Sequence, residues 1–354
     1  MATIRIKKEY FYLFAILCCI FLIFKYPDAV KNGVNEGISI CFYTIIPSLF
    51  PFMVLSTYIV KSNILSPVYK CFSFPVHILF RQPAPAISVI FMSMIGGFPI
   101  GIKMTNDLYL KGQITKEQAQ RLTLFCMNAG PAFVITAIGT NMLKSTKAGI
   151  IIYSSLCISA LFSGIISSFV AEKNQKEIKH KNEKPLQLAS LSASVTDSIQ
   201  GIFGICAWVI LFSSITMCIK EFHLPEKAYI YITSFSEVTK GCSLLIKHSP
   251  LPVIAGIIGF GGICVHCQVL EYLKNIEIKY INFFITRILN GVLSGIISYI
   301  ILIFFPVEIN VFSNSDKIAS YSFSFSYSAF FVVIIMCIVM IFDIDRNKNY
   351  DRMN

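Results

Sequence analysis

The residues most able to do chemistry lie in four short stretches, each set in apolar surroundings. The first is Gly96-Gly97-Phe98-Pro99-Ile100-Gly101, with Lys103 just beyond it. Gly96, Gly97 and Gly101 have no Cβ and let backbone approach closely. Pro99 removes a donor and breaks a helix. Together they describe a tip whose following half-helix offers unpaired N–H groups, an arrangement that attracts anions. The same residues also suit a kinked helix packed through small side chains. Lys103 either adds a cation to the tip or snorkels to the membrane surface. In Asn128-Ala129-Gly130-Pro131, Asn128 and Gly130 sit at a second break. The Asn128 amide donates and accepts, which fits a neutral or zwitterionic ligand group, or a bond between helices.

The third stretch runs Gly259-Phe260-Gly261-Gly262-Ile263-Cys264-Val265-His266-Cys267-Gln268. Gly261 and Gly262 repeat the glycine pair. His266 and Gln268 are costly in hydrocarbon unless partnered or facing a cavity. His266 suits an anion or a travelling proton, or a structural bond. The fourth is Glu237-Val238-Thr239-Lys240-Gly241, where the Glu237 carboxylate and Thr239 hydroxyl suit Na⁺ or a proton relay; a solvated loop has the same composition.

Enzyme chemistry finds no footing. No HExxH, Gly-x-Ser-x-Gly or metal-spaced aspartates occur, and no Gly-Lys-Ser/Thr follows the glycines as a P-loop demands. Cys264 and Cys267 flank His266, yet two thiols without further ligands make a poor metal site. The reading is therefore non-enzymatic and without cofactor or metal, a coupling Na⁺ or H⁺ being left open.

The elements that must hold these stretches are membrane helices. The chain of 354 residues is 55% hydrophobic with only 14% charged, against roughly 25% charged in soluble proteins. Its mean hydropathy is +0.69. Apolar runs of spanning length cover 37–60, 148–171, 199–219 and 288–305, with weaker ones at 10–24 and 327–342. Arg5, Lys7 and Lys8 precede the first run, but no small-residue cleavage site follows, so it reads as an uncleaved anchor. The net charge of +11 lies in loops, where the positive-inside rule accounts for it without nucleic acid.

The expected fold is an all-α polytopic membrane protein, an inverted repeat of helix plus re-entrant hairpin units. Its parts are an anchor helix (1–33), a first repeat (34–171), a basic cytoplasmic linker (172–195), a second repeat (196–305), and a C-terminal helix with polar tail (306–354). The closest internal match sets 95–100 against 260–265, so the two hairpins are expected at 86–102 and 251–270, with their glycine tips approaching. Thr115 with Gln118 three residues on predicts a capping box. Non-helical backbone at membrane depth is tolerated only where protein or a watery cavity satisfies it, and broken helices in inverted repeats mark the substrate sites of transporters.

The sequence Gly-Gly-Phe-Pro-Ile-Gly-Ile-Lys (96–103), the Asp107-Leu108-Tyr109 triplet, the stretch 112–121, Asn-Ala-Gly-Pro (128–131), Glu-Val-Thr-Lys-Gly (237–241) and the stretch 260–269 resemble the YlbJ family of sporulation integral membrane proteins. The likeness spans about residues 30–305. Both halves look like nucleoside-recognition (Gate) domains, similar to the core of concentrative nucleoside transporters. The resemblance implies a membrane protein of endospore formers, placed in the mother-cell-derived outer forespore membrane, needed for the cortex and carrying dipicolinic acid. A small planar dianion would suit half-helix termini with Lys103 and His266. A nucleoside or other small solute, and a non-transporting scaffold of the spore envelope, stand beside this reading, and self-association is left open.

Overall fold

The computed structural model describes residues 17–62 (except 18, 19 and 22), 74–169 and 190–307. Most of the anchor run, the basic stretch 172–189 and the C-terminal run 327–342 lie outside the described residues. All regular structure among the described residues is helical. Five stretches are long and apolar enough to cross a membrane: Pro27–Ile59, Thr146–Phe169, Leu191–Lys220, Leu251–Leu270 and Tyr280–Phe304. This is an integral membrane protein.

The first crossing is α1 (Pro27–Ile40), a π-helical turn at Cys41–Ile45, and α2 (Ile46–Ser62). Pro27 opens it, where a missing N–H costs nothing. It lies antiparallel to α7 (Leu191–Lys220). Gly33 meets Ser214, Gly37 meets Ile210, Gly201 meets Met53, Ser198 meets Thr57, and Lys61 pairs with Asp197 at 2.8 Å. A Cβ on Gly33 would stand 2.5 Å from the Ser214 Cα. Small residues thus let two apolar helices touch backbone to backbone, where dispersion replaces the missing hydrophobic drive. One end of this pair is marked by Tyr26 against Phe222, the other by Lys61 and Asp197.

Helices α3 (Ala86–Ile95) and α4 (Phe98–Leu110) pack against each other around Gly96-Gly97. Gly97 has φ 92°, a left-handed conformation that glycine takes without a Cβ penalty. The base is tied shut. Gln82 Nε2 donates to the Gln118 carbonyl (3.2 Å), and Arg121 donates to the carbonyls of Phe80 (3.3 Å) and Arg81 (2.7 Å). The chain therefore returns to the end it left, the end of Lys61 and Asp197, since Asp197 acts electrostatically on Asp107 of α4. The Thr115–Gln118 capping box opens α5 (Lys116–Phe125). Non-helical backbone over 126–130 separates α5 from a π-helix, Ala132–Met142, and α6 (Thr146–Phe169) follows.

The second half departs from expectation. Here the pair that folds back is α8 (Glu226–Ser236) and α9 (Val238–Leu245), which pack together around Glu237. Their base is joined by His248 Nε2 and Glu226 Oε1 at 3.9 Å, at the end marked by Phe222. The 251–270 stretch is not the hairpin. Its halves α10 (Leu251–Phe260) and α11 (Gly262–Asn275) start at that end and finish at the opposite one. There Lys116 pairs with Glu277, and Gln120 Nε2 donates to the Ile276 and Glu277 carbonyls. Gly261 (φ 89°) and Gly262 (φ 72°) break this path midway. Finally α12 (Tyr280–Phe304) returns, packed on α10 and α6.

Two sets of parts thus follow in one order and opposite directions: long helix, fold-back, broken crossing, long helix. The set α1–α2, α3–α4, α5 with the π-helix, and α6 matches α7, α8–α9, α10–α11 and α12. The structural counterpart of Gly96-Gly97 is Glu237, and Gly261-Gly262 answers to 126–130. The reason is chemical. Glu237 turns the chain by capping α9 with its own carboxylate, so no glycine is needed there.

Candidate functional site: a cavity between the two fold-backs

The two fold-back tips and the two breaks converge on one cavity. Gly96, Gly97, Phe98 and Pro99 come from the first tip, Glu237, Val238 and Thr239 from the second. Gly130 and Phe133 come from the first broken crossing, Val265 and Gln268 from the second. The long helices close the sides with Ile45, Leu49 and Met53, and Ile205 and Val209. Counted with its opening to solvent, the space between these elements is about 540 Å³. The walls are mostly apolar, with a few polar groups at the breaks.

Of the residues singled out by sequence, Gly96, Gly97, Pro99, Gly130, Glu237, Thr239 and Gln268 line this space together. Gly130 packs on the first tip, where an added Cβ would lie 3.0 Å from the Ile95 carbonyl oxygen. Gly261 faces Phe98 and Met127, and Gly262 faces the backbone at Phe235, Ser236 and Val238. Both glycines support the tips from behind the lining. Gly101 is a packing glycine, since a Cβ there would meet the Cys126 carbonyl oxygen at 1.9 Å. Asn128 turns inward on its own chain, its Nδ2 donating to the Phe125 carbonyl at 2.9 Å.

Lys103 and His266 stand apart from the cavity. Lys103 lies beside Asp107 on α4. His266 is fully buried; its Nε2 donates to the Phe260 carbonyl (3.0 Å), and Nδ1 lies 3.3 Å from the Tyr280 hydroxyl. Because a carbonyl only accepts, Nε2 carries a proton, and Nδ1 shares the second bond with the Tyr280 hydroxyl. The ring closes the open end of α10 and packs on Phe260, Phe283 and Phe284.

Glu237 is 1% exposed. Its oxygens accept from the backbone N–H of Thr239 (3.0 Å) and Lys240 (2.6 Å), so the positive end of α9 holds the carboxylate. The Lys240 ammonium points elsewhere, to Glu36 Oε2 on α1 at 2.5 Å. Glu36 and Lys240 escape sequence reasoning because nothing in their spacing joins them. The available signal is an acidic residue within an apolar run. A second missed residue is Arg287, fully buried, donating to the carbonyls of Met127 (2.6 Å) and Leu124 (2.7 Å). It satisfies carbonyls left open where α5 stops, as Arg121 does below the first fold-back.

The chain is 25% identical over 329 residues to the sporulation integral membrane protein YlbJ of Bacillus subtilis, with 80% of each chain covered. The resemblance to YlbJ read from the sequence motifs thus extends over most of the chain. No family model matches it, and no solved structure does.

Proposed function

We propose that this protein moves a small solute across a membrane during endospore formation, dipicolinic acid from the mother cell across the outer forespore membrane being the first candidate. The observation that carries the reading is the cavity itself, where two fold-backs from opposite ends and two broken crossings converge. Irregular backbone of this kind is tolerated at membrane depth where it lines a cavity, and it is the usual setting of transporter substrate sites. The YlbJ relative supplies the sporulation context. In this reading the fold-backs are re-entrant hairpins, Gly96, Gly97, Pro99 and Gly130 shape the floor, and Gln268 and Thr239 orient the solute.

A neutral solute such as a nucleoside is the second reading. One observation favours it: the ionisable side chain on the cavity wall is a carboxylate, while Lys103 and His266 stand off it. The deciding experiment is uptake of labelled dipicolinate and labelled uridine into proteoliposomes of the wild type and Gly97→Leu. An added Cβ at Gly97 has free space, its nearest neighbour being Gly130 N at 3.8 Å, but φ 92° strains any L residue and the leucine fills the cavity. Uptake in the wild type and its loss in a stably inserted Gly97→Leu are expected. A wild type that carries neither solute leaves the scaffold role; full uptake by Gly97→Leu places the path elsewhere.

A further inference from the structure

We propose that Glu237 is a cation-coupling site, so that an anionic solute occupies the cavity only when a proton or Na⁺ neutralises this carboxylate. The inference rests on the transport reading above and adds what must accompany the solute.

The geometry carries it. Glu237 lines the cavity at the tip of the second fold-back and is 1% exposed. Its structural counterpart at the first tip is a glycine pair, so the two tips differ by one charge. The cationic side chain acting on Glu237 is Lys240, yet that ammonium is committed to Glu36. With both carboxylates ionised, the cluster Glu36, Lys240 and Glu237 therefore carries one negative charge in excess. The other groups that face Glu237 electrostatically are the thiols of Cys41 on the π-turn, Cys242 on α9 and Cys264 on α11, and as thiols they add no cation. On α4, Lys103 and Asp107 act on each other, and Arg287 is spent on two carbonyls. A dicarboxylate entering beside a desolvated carboxylate that has N–H donors but no cation of its own meets direct repulsion. A proton taken up from the donor side, or a Na⁺ held by the carboxylate and the Thr239 hydroxyl, removes that charge. The cation leaves with the solute on the other side, returning the carboxylate to its starting form; a dianion carried with one cation moves one net negative charge, which a K⁺/valinomycin clamp dissipates in the assay.

The test uses the full chain in proteoliposomes, wild type, Glu237→Gln and Glu237→Asp, each first shown monodisperse in detergent. Labelled dipicolinate uptake is measured with no gradient, an inward proton gradient and an inward Na⁺ gradient. With the membrane potential held at zero by equal K⁺ and valinomycin, the wild type should accumulate about tenfold per tenfold gradient of the coupled cation, which also tells H⁺ from Na⁺. Glu237→Gln should only equilibrate the solute, and Glu237→Asp should keep gradient dependence. Accumulation indifferent to both gradients in the wild type, or gradient-driven accumulation in Glu237→Gln, overturns the proposal. If no dipicolinate moves at all, the transport reading fails for that solute. The cation site is then read from thermal unfolding: Na⁺ over choline, or lower pH, should shift the midpoint of the wild type and not of Glu237→Gln, and equal shifts in both overturn it.

Discussion

At the scale of single residues, location relative to the cavity decides which polar groups matter. Glu237 and Lys103 looked equally able to meet a ligand in the sequence, because each is a charge near a break. Burial separates them, and burial depends on packing between segments far apart in the chain. Gly96, Gly97, Pro99 and Gly130 were legible since a glycine pair or a glycine closely followed by proline interrupts a helix in an apolar run. Lys240 with Glu36, 204 positions apart, was not. A partly desolvated charge-assisted hydrogen bond to a ligand contributes roughly 1.5–3 kcal/mol, about ten-fold or more in affinity. Lys103 makes no such bond in the cavity, so Lys103→Gln should leave the apparent affinity for dipicolinate, measured by uptake against concentration, near the wild-type value. A selective loss for dipicolinate over uridine would return Lys103 to the solute's path.

At the scale of elements, helix contacts rest on small residues, and their costs can be ranked. Gly291 on α12 faces α10 so closely that a Cβ would lie 2.7 Å from the Gly256 carbonyl oxygen and 3.2 Å from Phe260 N. Gly204 on α7 has nothing within 4 Å of a built Cβ. Overpacking against backbone costs about 1–3 kcal/mol, whereas alanine in an open helical position recovers about 0.5–1 kcal/mol of lost chain entropy. Gly291→Ala should thus lower the thermal midpoint in detergent while Gly204→Ala holds or raises it. The reverse order would show that α10 and α12 do not meet this way. Helices and their apolar faces could be read from composition alone. The second fold-back could not, because a glycine pair is a chemical signal and the α8–α9 turn uses a capping carboxylate. Like residues at 96–97 and 261–262 serve unlike turns.

At the scale of the whole molecule, the reversed order of parts fixes which loops share a face. The base of the first fold-back and the end of α11 are bonded through Lys116 and Glu277, while His248 lies at the opposite end with Glu226. In a cysteine-free background, single cysteines at Gly112 and Glu277 should react with an impermeant maleimide from one side of the membrane. A cysteine at His248 should react only from the other side. Labelling of all three from one side would dismantle the arrangement of fold-backs from opposite ends. The pattern of breaks along the chain foretold repetition; the pairing of parts needed three dimensions, since it is set by which ends touch.

The single charge that distinguishes the two fold-back tips has a consequence for direction. Two identical halves related by a two-fold axis in the membrane plane would give a molecule whose inward-open and outward-open forms are equal in energy. A carboxylate on one tip alone lifts that degeneracy and does so by an amount that varies with its neutralisation. Under the transport proposal such a protein rectifies: reconstituted in one orientation and then the other, with the same gradient applied, it should run at two different speeds.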